Sequence, residues 1–387
     1  MKNETPQNQA VPFRLDAENP WPGLAAYDEA SQDFFHGRCA EAAELLRLIR
    51  LAPLTVLYGK SGLGKSSLLQ AGLFPLLRDN HYLPVLLRLD FSQGAKDPIL
   101  EQAIQCLIEE IIRAGLECPQ RNGSEGLWEY LHRKDIEIWS SDNFLLTPVL
   151  VFDQFEELFS HCGGDAEKIR HLFDNLADLI ENRIPDKLVG GAAGLRGSGL
   201  DVLSQHYRII LSFREDFLAE VKEWDKKVPT LLRNYLRLEP MTRQSAINAI
   251  GQAGAAVLDH GEASLIVDFV GGLAKKEGEA DAVIEPVLLS LFCYQINLRR
   301  HGGKIDPALV EDSGKDILAN FYRDALEDED VKGHPMASFF IEEYLVQGER
   351  FRGAYPKIEA INENLLTERQ LDALTDSNSH FGDYPLK

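Results

Sequence analysis

Cysteine is scarce and unpatterned in this chain. Five occur in 387 residues (Cys39, Cys106, Cys118, Cys162 and Cys293), an odd number with no C-x-x-C among them. That excludes a disulfide framework and predicts buried or free thiols in a reducing compartment. His161, Cys162 and His171 fit no common zinc spacing and lack a fourth ligand, so they read as ordinary surface and core residues. No run of about 18 apolar residues occurs, so nothing is expected to span a membrane. The stretch from Met1 to Asn19 is polar and lacks the apolar region of a secretory signal, and the expected location is cytoplasmic. Basic residues are also in deficit: 40 Lys and Arg against 61 Asp and Glu, a formal net charge of −21. Such a surface repels phosphate backbones and anionic membranes, so neither nucleic acid nor a membrane is an expected partner. There is no internal repeat and no Ser-His-Asp or Cys-His constellation. His132 and His206 have no visible partner.

What remains is an ordinary globular composition, 44% hydrophobic and 26% charged, over a length that suggests two or three domains. One stretch organises it: Gly59-Lys60-Ser61-Gly62-Leu63-Gly64-Lys65-Ser66, which fits the phosphate-binding loop G-x-x-x-x-G-K-[ST]. Leu54 to Tyr58 before it reads as a buried strand, and Ser67 to Leu73 after it begins a helix. Glycines let the backbone turn its N–H groups inward, and the helix N-terminus favours an anion there. Lys65 can reach the β- and γ-phosphates, and the Ser66 hydroxyl can ligate Mg²⁺.

Further strands are predicted at Leu83–Phe91, Pro148–Phe152 and Tyr207–Phe213. Helices are predicted at Cys39–Leu51, Asp97–Arg113, Leu127–His132 and Asp165–Asn182. Pro75 to Asn80 is expected to close the P-loop helix. Lys187–Gly199, rich in glycine and alanine, reads as a flexible surface loop. Strands separated by helices and ending in polar residues predict an α/β fold: a parallel sheet with helices on both faces, its ligand at the C-terminal strand ends. From about Leu238 strand patterns fade, and helices are expected at Met241–Gly251, Ser264–Val270, Val287–Arg299 and Asp316–Leu326. The expected organisation is a disordered tail at 1–18, a P-loop domain at 19–238, a helical domain at 239–326, and a linker with a partial winged-helix-like segment at 327–387. Asn19 to Leu24, with two prolines and Trp21, is expected to lie pinned against the first domain.

Phosphate chemistry needs a metal and a polarised water. Asp153 ends an apolar strand, the place for a Walker-B carboxylate that holds Mg²⁺. Either Glu156 or Glu157 could orient or deprotonate the attacking water, and the sequence does not choose between them. The same acids could simply open a solvated helix. Arg214, at the end of another buried strand, can sense a γ-phosphate. It could equally pair with Glu215 or Asp216.

Taken together these strings resemble the STAND class of P-loop NTPases, and within it the bacterial group called novel STAND NTPase 1. The resemblance runs from about Asn19 to about Ile361. It is carried by NPWPGL, FFHGRCAE, GKSGLGKSSLLQAG, VLVFDQFEELF, RIILSFREDFL and LRLEPMTRQSAINAI, in that order. It implies that Gly37 and Arg38 lie near the adenine and ribose. Gly59 to Ser67 would cradle the phosphates. Pro286 would correspond to a G-x-P proline that packs on the base, with Ile284 in place of the glycine. A first-turn helix proline explains Pro286 equally well. The resemblance further implies ATP or ADP with Mg²⁺ as ligands, nucleotide-dependent self-assembly, an unidentified protein effector, and a switch with slow hydrolysis in signalling or defence. The alternative is a nucleotide-binding adaptor with negligible turnover. His380 is not in the family's histidine motif and no sensor repeats follow, so a fragment, a truncated gene product or a stripped-down member is expected.

Overall fold

The computed structural model describes residues 14–89, 99–123, 125–161, 166–189, 199–274 and 284–311, with 346–347, 351–352, 367 and 370–371. At its centre are β1 (Leu54–Gly59), β2 (Tyr82–Leu87), β3 (Thr147–Phe152), β4 (Arg208–Arg214) and β5 (Tyr235–Arg237). They form one sheet in the order β2-β3-β4-β1-β5, with every pairing parallel. The expected parallel sheet is therefore present. β5 was not predicted: it has three residues, Tyr235 and Arg237 are exposed, and it forms by pairing with Val56–Tyr58.

Side chains along a strand alternate between faces. Val149 and Val151 of β3 join Leu57 and Ile210 beneath the helix Cys39–Leu51 and the P-loop helix. Leu150 and Phe152 join Ile209, Leu211 and Phe213 on the other face. That face is covered by helices Ile99–Arg113, Leu127–Leu131 and Ala166–Ile180. Burial on both faces is why these strands read as near-continuous apolar runs.

The P-loop helix does not end at Pro75. It starts as an α-helix at Lys65–Ser67, widens to a π-helix at Leu68–Leu73, and resumes as an α-helix at Phe74–Asp79. In the wide segment the Phe74 N–H donates to the Leu69 carbonyl, five residues back. Pro75 has no N–H to offer the preceding turn and its ring crowds the carbonyl four residues earlier, so widening lets the helix continue. The predicted loop at Lys187–Gly199 begins as helix, since Asp186–Val189 is helical; residues 190–198 lie outside the described residues.

Among the described residues the helical half contains helices Arg243–Ala253, His260–Ala274 and Pro286–Leu298, each close to its predicted place. Ala246, Ile250, Val257, Ile266, Val270, Phe292 and Ile296 form its core. Trp21 belongs to this core and not to that of the sheet. The expectation that its segment is pinned against the first domain is therefore corrected: the indole is buried against Gly254, at the end of helix Arg243–Ala253. The expected tail boundary is also corrected at its last residue. The Glu18 carbonyl accepts a hydrogen bond from Asn297 Nδ2 at 2.7 Å, and its carboxylate pairs with Arg300 at 2.7 Å. The predicted helix at 316–326 lies outside the described residues. Of the winged-helix-like segment, the described part is an antiparallel pairing of Val346–Gln347 with Phe351–Arg352 and a few residues up to Leu371.

Candidate functional site

In the β1–β4 register Gly59 stands opposite Arg214, and in β3–β4 Phe152 stands opposite Leu211. The residues that follow β1 and β3 therefore emerge, with Arg214, at one edge of the sheet. Gly64, at φ +84°, occupies the left-handed region that side chains disfavour and turns the loop into the helix. Lys65 folds back over the loop, its Nζ donating to the carbonyls of Gly59 and Lys60, both at 3.1 Å. Burial pulls the Lys65 ammonium below its ordinary pKa, while Glu156 and Asp153 oppose that shift.

Asp153 has the strand parity of Val149 and Val151, whose face the P-loop helix covers. It is buried. Its Oδ1 accepts the Ser212 hydroxyl at 2.9 Å, and its Oδ2 is buried with no partner. A buried carboxylate oxygen without a donor is costly, so such an oxygen calls for a cation. A single buried carboxylate oxygen of this kind fits Mg²⁺, which keeps several waters and takes its other ligands from phosphates. Among the described residues no cluster of three or more His, Cys, Asp or Glu side chains could bind a metal unaided.

The chain then leaves β3 by a left-handed turn at Gln154, φ +55°. The Phe155 N–H donates to the Ser212 carbonyl at 2.9 Å, which folds the turn over the end of β4. Glu156 is thereby placed so that its Oε2 accepts the Arg214 N–H at 3.3 Å. Burial pushes the Glu156 carboxyl up to about 7, with Lys65 opposing. Glu157 opens the helix Glu157–His161 instead. The Arg214 guanidinium is paired with Asp216, with Nε donating at 3.1 Å. The local partner left open by the sequence is thus present in the structure.

A narrow cleft of about 70 Å³ lies between the sheet half and the helical half. Arg38, Leu63, Gly64, Ser67 and Pro286 all line it. Trp21, Tyr27, Met241 and Ser290, none of them anticipated, line it too. The Ser67 hydroxyl is occupied by the Tyr27 N–H at 3.1 Å. Pro286 is both a first-turn helix proline and a wall residue, so its two explanations do not compete. Gly37 is not part of the wall. It sits at φ +81°, and a Cβ there would lie 2.6 Å from the Ser245 carbonyl and 2.7 Å from Met241 Cε. Its smallness therefore serves the docking of the two halves. Gly37→Ala is expected to lower stability by about 2–3 kcal/mol, seen as a lower urea midpoint. An unchanged midpoint would contradict that assignment.

Elsewhere, the four described cysteines are free thiols and His132 is a core residue, bonded to the Trp128 carbonyl and to Asn182. Cys162 lies outside the described residues. No described helix is long and apolar enough to cross a membrane.

A glycine-rich loop from β1 into a helix, a carboxylate at the end of β3, and a five-stranded parallel sheet define a P-loop NTPase. More narrowly, the chain belongs to the family described as Novel STAND NTPase 1, whose sequence model matches residues 20–291. No curated protein matches the chain. Among solved structures it is similar to a Walker-type ATPase of Pyrococcus abyssi, at 15% identity over 90% of this chain and 93% of that one, TM-score 0.45. It is also similar to Cdc6p of Pyrobaculum aerophilum, at 15% identity over 87% and 79%, TM-score 0.43. A third is the ORC2 protein of Aeropyrum pernix, in its ADPNP and ADP complexes, at 13% identity over 88% and 81%, TM-score 0.46.

Proposed function

We propose that the chain is an ATP/ADP-binding switch in which the nucleotide holds a P-loop domain (19–238) against a helical domain (239–326). The carrying observation is the cleft walled by both halves, which includes Leu63, Gly64 and Ser67 of the P-loop, whose next residue after Gly64, Lys65, feels the charge of the buried Asp153 with its partnerless oxygen. The base and ribose would occupy the apolar part, between Pro286 and the Trp21–Tyr27 segment. The phosphates would take the N–H groups of Gly62 to Ser66 and draw Lys65 off its two carbonyls. Ser66 and Asp153 would hold Mg²⁺, which when bound neutralises phosphate charge. Glu156 would accept a proton from the attacking water, and Arg214 would leave Asp216 for the γ-phosphate. A nucleotide shifts such an equilibrium only through its differential affinity for the closed and open arrangements. The closed form would be the resting one, with release leading to self-assembly and effector contact in the cytoplasm. Calorimetric titration with ADP and with Mg-ATP tests this, and no heat of binding from either would refute it.

A second function, a nucleotide-held adaptor with negligible turnover, is favoured by one observation. Both groups that would act on water or γ-phosphate are engaged by the protein itself, Arg214 by Asp216 and Glu156 by the Arg214 N–H. Turnover separates the two functions. If Glu156 is the base, kcat/KM for hydrolysis rises with pH to a plateau above an apparent pKa near 7, because only the carboxylate accepts a proton. Glu156→Gln is then expected to lower the plateau about 100-fold or more and flatten the profile, read by phosphate release. Glu157→Gln would leave the inflection in place. Unchanged release in both variants supports the adaptor.

A further inference from the structure

Arg38 is a charged side chain that is only 5% exposed and is bonded to three other residues. Nη1 pairs with Glu41 at 2.6 Å. Nη2 donates twice, to the Leu63 carbonyl at 3.4 Å and to the Glu239 carbonyl at 2.9 Å. Those two acceptors lie in different parts of the molecule. Leu63 is in the P-loop, while Glu239 lies between β5 and the helix Arg243–Ala253. Two neighbouring contacts reinforce the junction. The Val287 N–H, in the first turn of helix Pro286–Leu298, donates to the Gly62 carbonyl at 3.3 Å. Gly59 packs so closely on Leu238 that a Cβ there would lie 2.7 Å from its carbonyl oxygen.

The peptide bond between Leu63 and Gly64 is planar and trans, so its C=O and N–H point in opposite directions. A guanidinium holding the Leu63 carbonyl therefore fixes the plane of that peptide and, with it, the direction of the Gly64 N–H. We propose that Arg38 is a positioning residue that aims this P-loop N–H at the nucleotide phosphates and, through its second bond from the same nitrogen, transmits the loop's state to the interdomain junction at Glu239. This rests on the nucleotide-switch function above and differs from a direct contact of Arg38 with the base or ribose. Lysine cannot replace it: a single ammonium lacks the planar fork that can reach Glu41 and both carbonyls together.

Hydrogen exchange of the full chain with and without saturating ADP, with ADP affinity measured in parallel, tests the proposal. In the native protein ADP is expected to slow exchange at least about fivefold both in the P-loop helix and in helix Arg243–Ala253. In Arg38→Lys the P-loop helix should still be protected, with ADP affinity weakened no more than about tenfold, while protection of Arg243–Ala253 disappears. Equal protection of both segments in Arg38→Lys would overturn the coupling, as would parallel loss of both together with ADP affinity. Should Arg38→Lys fail to fold, Glu41→Gln decides, since it leaves the guanidinium and both carbonyl acceptors in place. Retained protection of Arg243–Ala253 there supports the bridge, and lost protection assigns the coupling to the ion pair instead. Absence of ADP binding by the native protein refutes the switch itself, an outcome distinct from any of these.

Discussion

Lys65→Ala is expected to weaken ADP and ATP binding at least about 100-fold while leaving the nucleotide-free fold intact. The two halves of that expectation have different physical origins. Lys65 is held by two carbonyls of its own loop and buried enough for its ammonium to be disfavoured. Removing it relieves a desolvation cost and frees two acceptors, one of them exposed, so the melting midpoint should stay within a few degrees. Binding is another matter. A phosphate replaces the two neutral acceptors with anionic ones, and charge-assisted bonds contribute about 1.5–3 kcal/mol each. Two such bonds account for the expected loss. Titration calorimetry beside a thermal melt reads both quantities. Unchanged affinity with an unchanged melt would remove the P-loop from the function altogether.

The parts of the site that are legible in the sequence are those built within one strand–turn unit. The P-loop, Asp153 and Arg214 each follow an apolar run because a parallel strand buried on both faces needs one. Polar residues then stand where the strand leaves the core. The pairing of Arg214 with Asp216, two residues on, was also foreseeable as a local alternative. Contacts across long stretches of chain were not. Trp21 enters the helical core against Gly254, and Asn297 holds the Glu18 carbonyl. Neither has a periodicity to announce it, so Trp21 was placed with the wrong half. The choice between Glu156 and Glu157 was illegible for a related reason. Where each of the two side chains goes depends on a left-handed Gln154 and a bond from the Phe155 N–H to the Ser212 carbonyl, which the neighbouring strand supplies. The π segment of the P-loop helix has a signal in Pro75, while the helix itself closes within the expected stretch, at Asp79.

Asp153→Asn is expected to abolish Mg²⁺-dependent hydrolysis and, in the nucleotide-free protein, to raise stability. Asp153 is buried beside other ionisable groups, with one oxygen occupied by Ser212 and the other without a donor. Leaving such an oxygen unsatisfied costs about 1–3 kcal/mol. Asparagine keeps an oxygen for the Ser212 hydroxyl and replaces the charged, partnerless one with a neutral amide. The midpoint of the free protein should therefore rise by about one to two degrees, about 1 kcal/mol. The same substitution deletes the negative charge that would draw in the metal, so the extra stabilisation by Mg-ATP over ATP alone should vanish, and phosphate release should fall about 100-fold or more. The opposite signs are what make the test informative. A carboxylate kept for packing would lose stability when changed to asparagine and leave the magnesium response intact. One kept for a cation is a liability until the cation arrives, because the fold alone gives its second oxygen nothing to bind. Thermal melts of both proteins, alone, with ATP and with Mg-ATP, separate the cases, and a fall in the free protein's midpoint would count against Asp153 as the metal-holding residue.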